Sequence, residues 1–107
     1  MEKQISNKIV KYLNDNHFDT TFVYKRLGSA NNAGMPDITG CHNGIRVEIE
    51  VKNPYLDKGS VEANLSIASK KQQYYIKKFQ QLGCYAGVAT SIDQTLKILK
   101  INLANEK

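Results

Sequence analysis

No apolar run in the 107 residues approaches the ~18 needed for a membrane-spanning helix. The start, Met1-Glu2-Lys3-Gln4, has no apolar core of the kind a secretory signal needs, so the expected location is the cytoplasm. Cysteine is scarce. Cys41 and Cys84 lack Cys-x-x-Cys spacing, which argues against zinc, and a reducing compartment argues against a disulfide. Both are read as buried or half-buried thiols. Repeats, linkers and low-complexity stretches are absent too, and one domain spanning 1–107 is the expectation. With 41 % apolar and 23 % charged residues, the composition is globular rather than disordered.

Acidic residues are scarce in one part only. Residues 1–69 hold eight Lys/Arg and eight Asp/Glu, whereas residues 70–107 hold seven Lys and two acids, Asp93 and Glu106. The net charge of +5 therefore sits in the C-terminal part. Such a surface suits a polyanion, although a soluble lysine-rich surface explains it equally well.

The patterning gives an order of elements. Ile5, Ile9, Tyr12 and Leu13 recur at helical spacing within 2–15. Residues 21–27 are β-branched and aromatic and read as a strand, followed by a loop from Gly28 to Gly34. Residues 37–41 and 45–52 read as two strands joined by His42-Asn43-Gly44, where Asn-Gly is a strong hairpin signal. Residues 53–68 are less regular. Ser69-Lys70-Lys71-Gln72 has capping-box spacing and opens a helix with Tyr75, Ile76, Phe79 and Leu82 on its apolar face, ended by Gly83. Residues 84–90 read as a buried strand, and Ser91-Ile92-Asp93-Gln94 as a second capping box. The tail from Lys97 to Leu103 permits helix or strand. Helix, three strands, helix, strand, helix predicts an α/β fold with a mixed sheet flanked by helices.

The segment Ile45-Arg46-Val47-Glu48-Ile49-Glu50-Val51-Lys52 alternates strictly, with the four aliphatic residues on one face and the four charged residues on the other. A strand with a solvated, ion-paired face shows the same pattern. Here, however, the strand lies between others, and the hairpin brings Asp37 opposite Glu50. Two converging carboxylates repel unless a proton or cation lies between them. Carboxylate oxygens suit Mg²⁺, and Lys52 on the same face can hold a water or a phosphate oxygen. Glu48 shares this face, as an extra ligand or as an ion-pair partner of Arg46 or Lys52. His17 and His42 are read as exposed, and no partner motif supports a histidine nuclease.

At Gly34-Met35-Pro36-Asp37-Ile38, Glu48-Ile49-Glu50-Val51-Lys52, Ser69-Lys70-Lys71-Gln72 and Val88-Ala89-Thr90-Ser91, the sequence resembles the virus-type replication-repair nuclease (VRR-NUC) family of the PD-(D/E)xK superfamily. The resemblance spans nearly the whole chain and implies a restriction-endonuclease-like αβββαβ core. It implies Mg²⁺, with Mn²⁺ as a substitute, held by Asp37, Glu50, the Val51 carbonyl and Glu2. Lys52 and Gln72 complete the implied catalytic set, with Gln73 a weaker alternative to Gln72. The capping box alone also explains Gln72, and the helix dipole alone explains Glu2. Lys70 and Lys71, then Lys25 and Arg26, are the candidate DNA contacts. Stand-alone members are typically phage homodimers cutting four-way (Holliday) junctions or other branched DNA, without a small-molecule cofactor. The stretch 53–67 is longer than the usual connection, which leaves open a substrate loop or a dimer element. A non-cleaving DNA-binding module and a sequence-specific restriction-type enzyme are the rival readings.

Overall fold

A computed structural model describes residues 2–28 and 33–101. Helix α1 (Glu2–Asn16) forms where the helical stripe was read, and Ile9 and Leu13 are fully buried. Strands β1 (Thr21–Lys25), β2 (Ile38–His42) and β3 (Ile45–Val51) follow as an antiparallel meander. Asn43 and Gly44 turn the second hairpin with φ of 51° and 80°. Two positive φ values in a two-residue loop match the twist of the flanking strands. The chain then runs through a 3₁₀ turn (Pro54–Leu56), a short helix α2 (Val61–Asn64) and a second 3₁₀ turn (Leu65–Ile67). Helix α3 (Lys70–Gln81) crosses over to β4 (Tyr85–Ala89), which pairs parallel to β3, and α4 (Ile92–Ile98) follows. The sheet order is β1-β2-β3-β4.

Both faces of β3 are covered, and this is why its charged residues are informative. On one face Val23, Ile38, Val47, Ile49 and Val51 pack with Ile9 and Leu13 of α1 and Leu96 of α4. On the other, Ile76 and Phe79 of α3 pack on Ala86 and Val88 of β4. Glu48 and Glu50 point into this second layer and are 0 % and 2 % exposed. β1 lies beyond the cover, with Phe22 and Tyr24 at 65 % and 52 % exposed.

Side chains close both sheet edges. On β1, the Asn14 amide donates to the Val23 carbonyl and accepts from the Val23 N–H, each at 2.9 Å. On β4, Gln80 Nε2 donates to the Ala86 carbonyl at 3.0 Å. Val61 of α2 and Ile98 of α4 pack so closely at Gly87 that any Cβ there would meet them within 3.0 Å. The 53–67 stretch thus folds over the β4 edge, where an uncovered strand would invite foreign pairing. Fully buried Asn64 ties it down. Its Oδ1 accepts from the Lys58 N–H at 2.7 Å, and its Nδ2 donates to Asp57 Oδ1 and Gln94 Oε1, both at 3.0 Å. Hydrogen bonds from Gln94 and Asn64 hold the Asp57 carboxyl below its usual pKa.

Several sequence expectations change. Ser91 accepts from the Gln94 N–H at 3.2 Å, but the Gln94 side chain does not return the bond to Ser91. It accepts instead from Thr90 N at 2.7 Å, because the buried end of β4 presents that donor. The 97–103 tail is helical to Ile98, and Lys100 turns away with φ 59°. Residues 29–32 of the expected loop and 102–103 of the tail lie outside the described residues. His42 is buried rather than exposed, because β2 turns it to the α1 side. There its Nδ1 meets Thr21 Oγ1 at 2.6 Å, and its ring lies 5.5 Å from that of Tyr85. Burial lowers its pKa. Cys41 is exposed rather than buried, since α3 does not extend over β2 at that point, whereas Cys84 is half-buried. Among the described residues no helix is long and apolar enough to cross a membrane.

Candidate active site

The β2–β3 register pairs Ile38 with Ile49, so Asp37 stands opposite Glu50 at the end of the hairpin. Asp37 is fixed by the backbone on both sides. Its Oδ2 accepts from the Val51 N–H at 3.0 Å, and its carbonyl accepts from the Arg26 N–H at 2.7 Å. The Arg26 guanidinium adds a 2.7 Å bond to the Pro36 carbonyl. The strand end that carries Asp37 is therefore clamped from β1.

Glu50 has fewer partners than its burial calls for. Its Oε2 accepts from Gln72 Nε2 at 3.1 Å and lies 3.8 Å from Lys52 Nζ. Its Oε1 is buried and, among the described residues, has no hydrogen-bond partner. Burial, then the Asp37 charge, raises its pKa from 4.5 to about 8. Lys52 opposes this, while a hydrogen bond with Asp37 and the more distant charge of Glu2 add to it. A carboxyl raised this far favours its protonated form at neutral pH.

An orphaned buried carboxylate oxygen beside a second carboxylate is a place for a cation. Among the described residues no third His, Cys, Asp or Glu completes a cluster. Two carboxylates alone suit a small hard ion that keeps several waters, which is the habit of Mg²⁺. The residues present fit such an ion.

Gln72 serves two purposes at once. Its Oε1 accepts from the Ser69 N–H at 2.9 Å, closing the capping box, while its Nε2 holds Glu50. The cap fixes the side chain that reaches the site, so the structural and the functional explanations of this glutamine coincide. Gln73, the weaker alternative, turns away and donates to the Ala68 carbonyl at 2.9 Å.

The structure thus brings together Asp37, Glu50, Val51 through its N–H, Lys52 and Gln72. Glu2, exposed in the first turn of α1, touches the site only through its charge. Lys70 and Lys71 are exposed at the start of α3. The Lys71 stem lies over Gly34, where a Cβ would collide with Lys71 Cγ at 2.5 Å and φ is +82°. This glycine lets the helix approach the segment leading to Asp37.

Lys25 and Arg26, also candidate DNA contacts, bond to other parts of the chain. Lys25 Nζ donates to Asn7 of α1 at 2.9 Å, on the opposite face of the sheet. Arg26 forms a two-pronged pair with Glu48, at 2.9 and 3.2 Å, and its side chain is 13 % exposed. Arg46 Nε at 2.8 Å and Thr39 Oγ1 at 2.6 Å also bind Glu48. Of the partners expected for Glu48, Arg46 is present and Lys52 goes to Glu50. Arg26 was missed as a clamp, yet period-2 alternation from Phe22 and Tyr24 puts it on the Glu48 face once the β1 register is known.

The architecture is a restriction-endonuclease-like α/β sheet flanked by helices, with carboxylates at a central strand end. A solved structure described as a VRR_NUC domain protein superposes on it with a TM-score of 0.62, covering 96 % of this chain and 88 % of that one at 19 % identity. The two share their fold, in agreement with the resemblance read from the sequence. No protein-family model matches the chain, and no curated protein matches it.

Proposed function

We propose that this protein is a divalent-metal-dependent endonuclease that hydrolyses DNA phosphodiester bonds and prefers branched DNA, four-way junctions or flaps. One observation carries the chemistry: buried Glu50, its Oε1 unsatisfied, faces Asp37 with Lys52 and Gln72 alongside. The fold shared with a VRR_NUC domain protein supports the substrate class.

Asp37, Glu50 and the Val51 carbonyl would hold the ion, with Mn²⁺ able to replace Mg²⁺. Bound there, it supplies Lewis-acid activation of water and phosphodiester. Gln72 fixes Glu50 through Oε2 and so leaves Oε1 for the ion. Lys52, close to Glu50 and 17 % exposed, orients the attacking water and balances the charge that develops on the phosphate. Glu2 acts through its field or through water. Lys70 and Lys71, at the positive end of α3, follow the DNA backbone. A homodimer would set two such sites on the two strands of a symmetric junction.

The test incubates labelled four-way junction, flap and linear duplex with the protein and Mg²⁺, Mn²⁺ or EDTA. Cutting of branched DNA only, abolished by EDTA and by Asp37→Ala or Lys52→Ala, is the expected result. Tight junction binding without cutting under either metal would make the protein a non-cleaving module. Site-specific cutting of linear duplex would make it a restriction-type enzyme.

A further inference from the structure

The layer that carries the Asp37–Glu50 site is covered over β3 and β4 by α3 but, among the described residues, left open over β1 and β2. Strand pairing fixes what lies on that open face. Phe22 pairs with Cys41, which in turn pairs with Arg46, and Tyr24 pairs with Thr39, which in turn pairs with Glu48, so both rings stand on the Glu50 side of the sheet. Their centroids are 5.9 Å apart with planes tilted by 41°. They are 65 % and 52 % exposed, unusual for rings that the alternation of β1 could have turned inward.

The charge around them is of one sign. The shallow groove along this face has Arg26 and Arg46 among its lining residues and, among the described residues, no acid. Glu48 beneath it is fully buried and bound by both arginines. The Arg46 guanidinium lies 4.7 Å over the Phe79 ring with its side chain 52 % exposed, at the border between the open face and α3.

We infer that the open face of β1 and β2, with Phe22 and Tyr24 beside Arg46, is a stacking platform for unpaired bases of the DNA whose backbone is cut at Glu50. Successive aromatics on a sheet present flat apolar surfaces to splayed bases, and flanking cations meet the backbone between them. Base faces stack on aromatics whatever the sequence, so the platform reads strandedness rather than sequence. It supplies a physical reason for a preference for branched over continuous duplex, and in that respect rests on the proposed nuclease reading. A second copy of the chain is a poorer occupant. Asn14 already fills the β1 edge, so a copy could not extend the sheet there, and a cationic face would meet its own charge.

The experiment measures binding in EDTA, so that neither metal nor cutting is required. The probes are a blunt duplex and the same duplex with a single-stranded tail bearing 2-aminopurine. Wild type is expected to bind the tailed probe more tightly and to change the 2-aminopurine fluorescence. Phe22→Ser with Tyr24→Ser should reduce the tailed-over-blunt affinity ratio by about tenfold to a hundredfold and remove the fluorescence change. Phe22→Trp, which keeps a stacking surface, should retain both. An unchanged ratio in the double variant overturns the platform, as does a wild type with no preference for the tail. A variant that turns a dimer into a monomer and weakens both probes equally assigns the face to a second copy and also overturns it. A wild type that binds neither probe removes the nuclease reading together with the platform. Cutting of DNA with the ratio unmoved removes the platform alone.

Discussion

Glu48 and Glu50 are two residues apart on β3, on the same face and equally hidden from solvent, yet their surroundings differ in kind. Glu48 is bound by Arg26, Arg46 and Thr39, and both its oxygens are engaged. Glu50 has one amide and a lysine at 3.8 Å on Oε2 and, among the described residues, no hydrogen-bond partner on Oε1. A buried charge is tolerated when it is paired and hydrogen-bonded, and is expensive otherwise. The first glutamate is a clamp that fastens β1 to β3 and holds the Pro36-Asp37 strand end through Arg26. The second is left short of partners among the described residues, and its pKa is raised accordingly. Along one strand face, the two carboxylates are told apart by how completely they are bound.

Exchanging each carboxylate for its amide should break the two halves of this comparison differently. The largest effect is expected from Glu50→Gln, with DNA cleavage falling on the order of 10³-fold or more as the cation site loses a ligand. The same variant should be more stable than wild type in alkaline solution. The native pKa of Glu50, about 8, lies above its ordinary 4.5, so the folded chain binds more protons between those values. Wild-type stability therefore falls as pH rises from about 4.5 to about 8. Thermal melts should show Glu50→Gln matching wild type near pH 5 and exceeding it at pH 9. A variant that melts lower at both pH values would show that Glu50 is a structural residue.

Next in size, Glu48→Gln should destabilise by about 3 kcal/mol, because it leaves two arginines at the clamp without their anion. For a chain of this length that lowers Tm by more than about 10 °C. The folded fraction should still cut DNA. A Tm within a few degrees of wild type would contradict the role of Glu48 as the clamp.

The smallest effect is expected at Gln72. Gln72→Ala removes half of the capping box and the bond to Glu50, for about 1 kcal/mol of stability and roughly tenfold in cleavage. Gln72→Glu keeps the acceptor for the Ser69 N–H but cannot donate to Glu50. It restores the cap but sets a further carboxylate beside Glu50, so neither the full stability nor the activity should return. Recovery of both would reduce Gln72 to a helix cap.

The clarity with which these residues could be read in the sequence depended on how local their partners are. The alternation of β3 and the Asn43-Gly44 turn put Asp37 opposite Glu50, because a two-residue hairpin fixes register by counting. The Ser69–Gln72 box is equally local. Arg26 was offered as a DNA contact, because its pairing with Glu48 depends on a β1–β2 register that the intervening loop does not specify. His42 was misjudged for the same reason, since its burial is decided by Thr21 and Tyr85 across two strand pairings. The 53–67 stretch gave no sign of covering β4. Its anchor, Asn64, finds Gln94 thirty residues away, and polar residues read as loop until their partner is known.

The central claim is that the Glu50–Asp37 pair exchanges a proton for a divalent cation. Calorimetric titration of the protein with Mg²⁺ or Mn²⁺, in buffers of different ionisation enthalpy, counts the protons released as the ion binds. Release should approach one proton per ion near pH 6.5, vanish above pH 9, and be absent in Glu50→Gln along with most of the binding. Cation binding that releases no proton at pH 6.5, or that is undiminished in Glu50→Gln, would contradict the account.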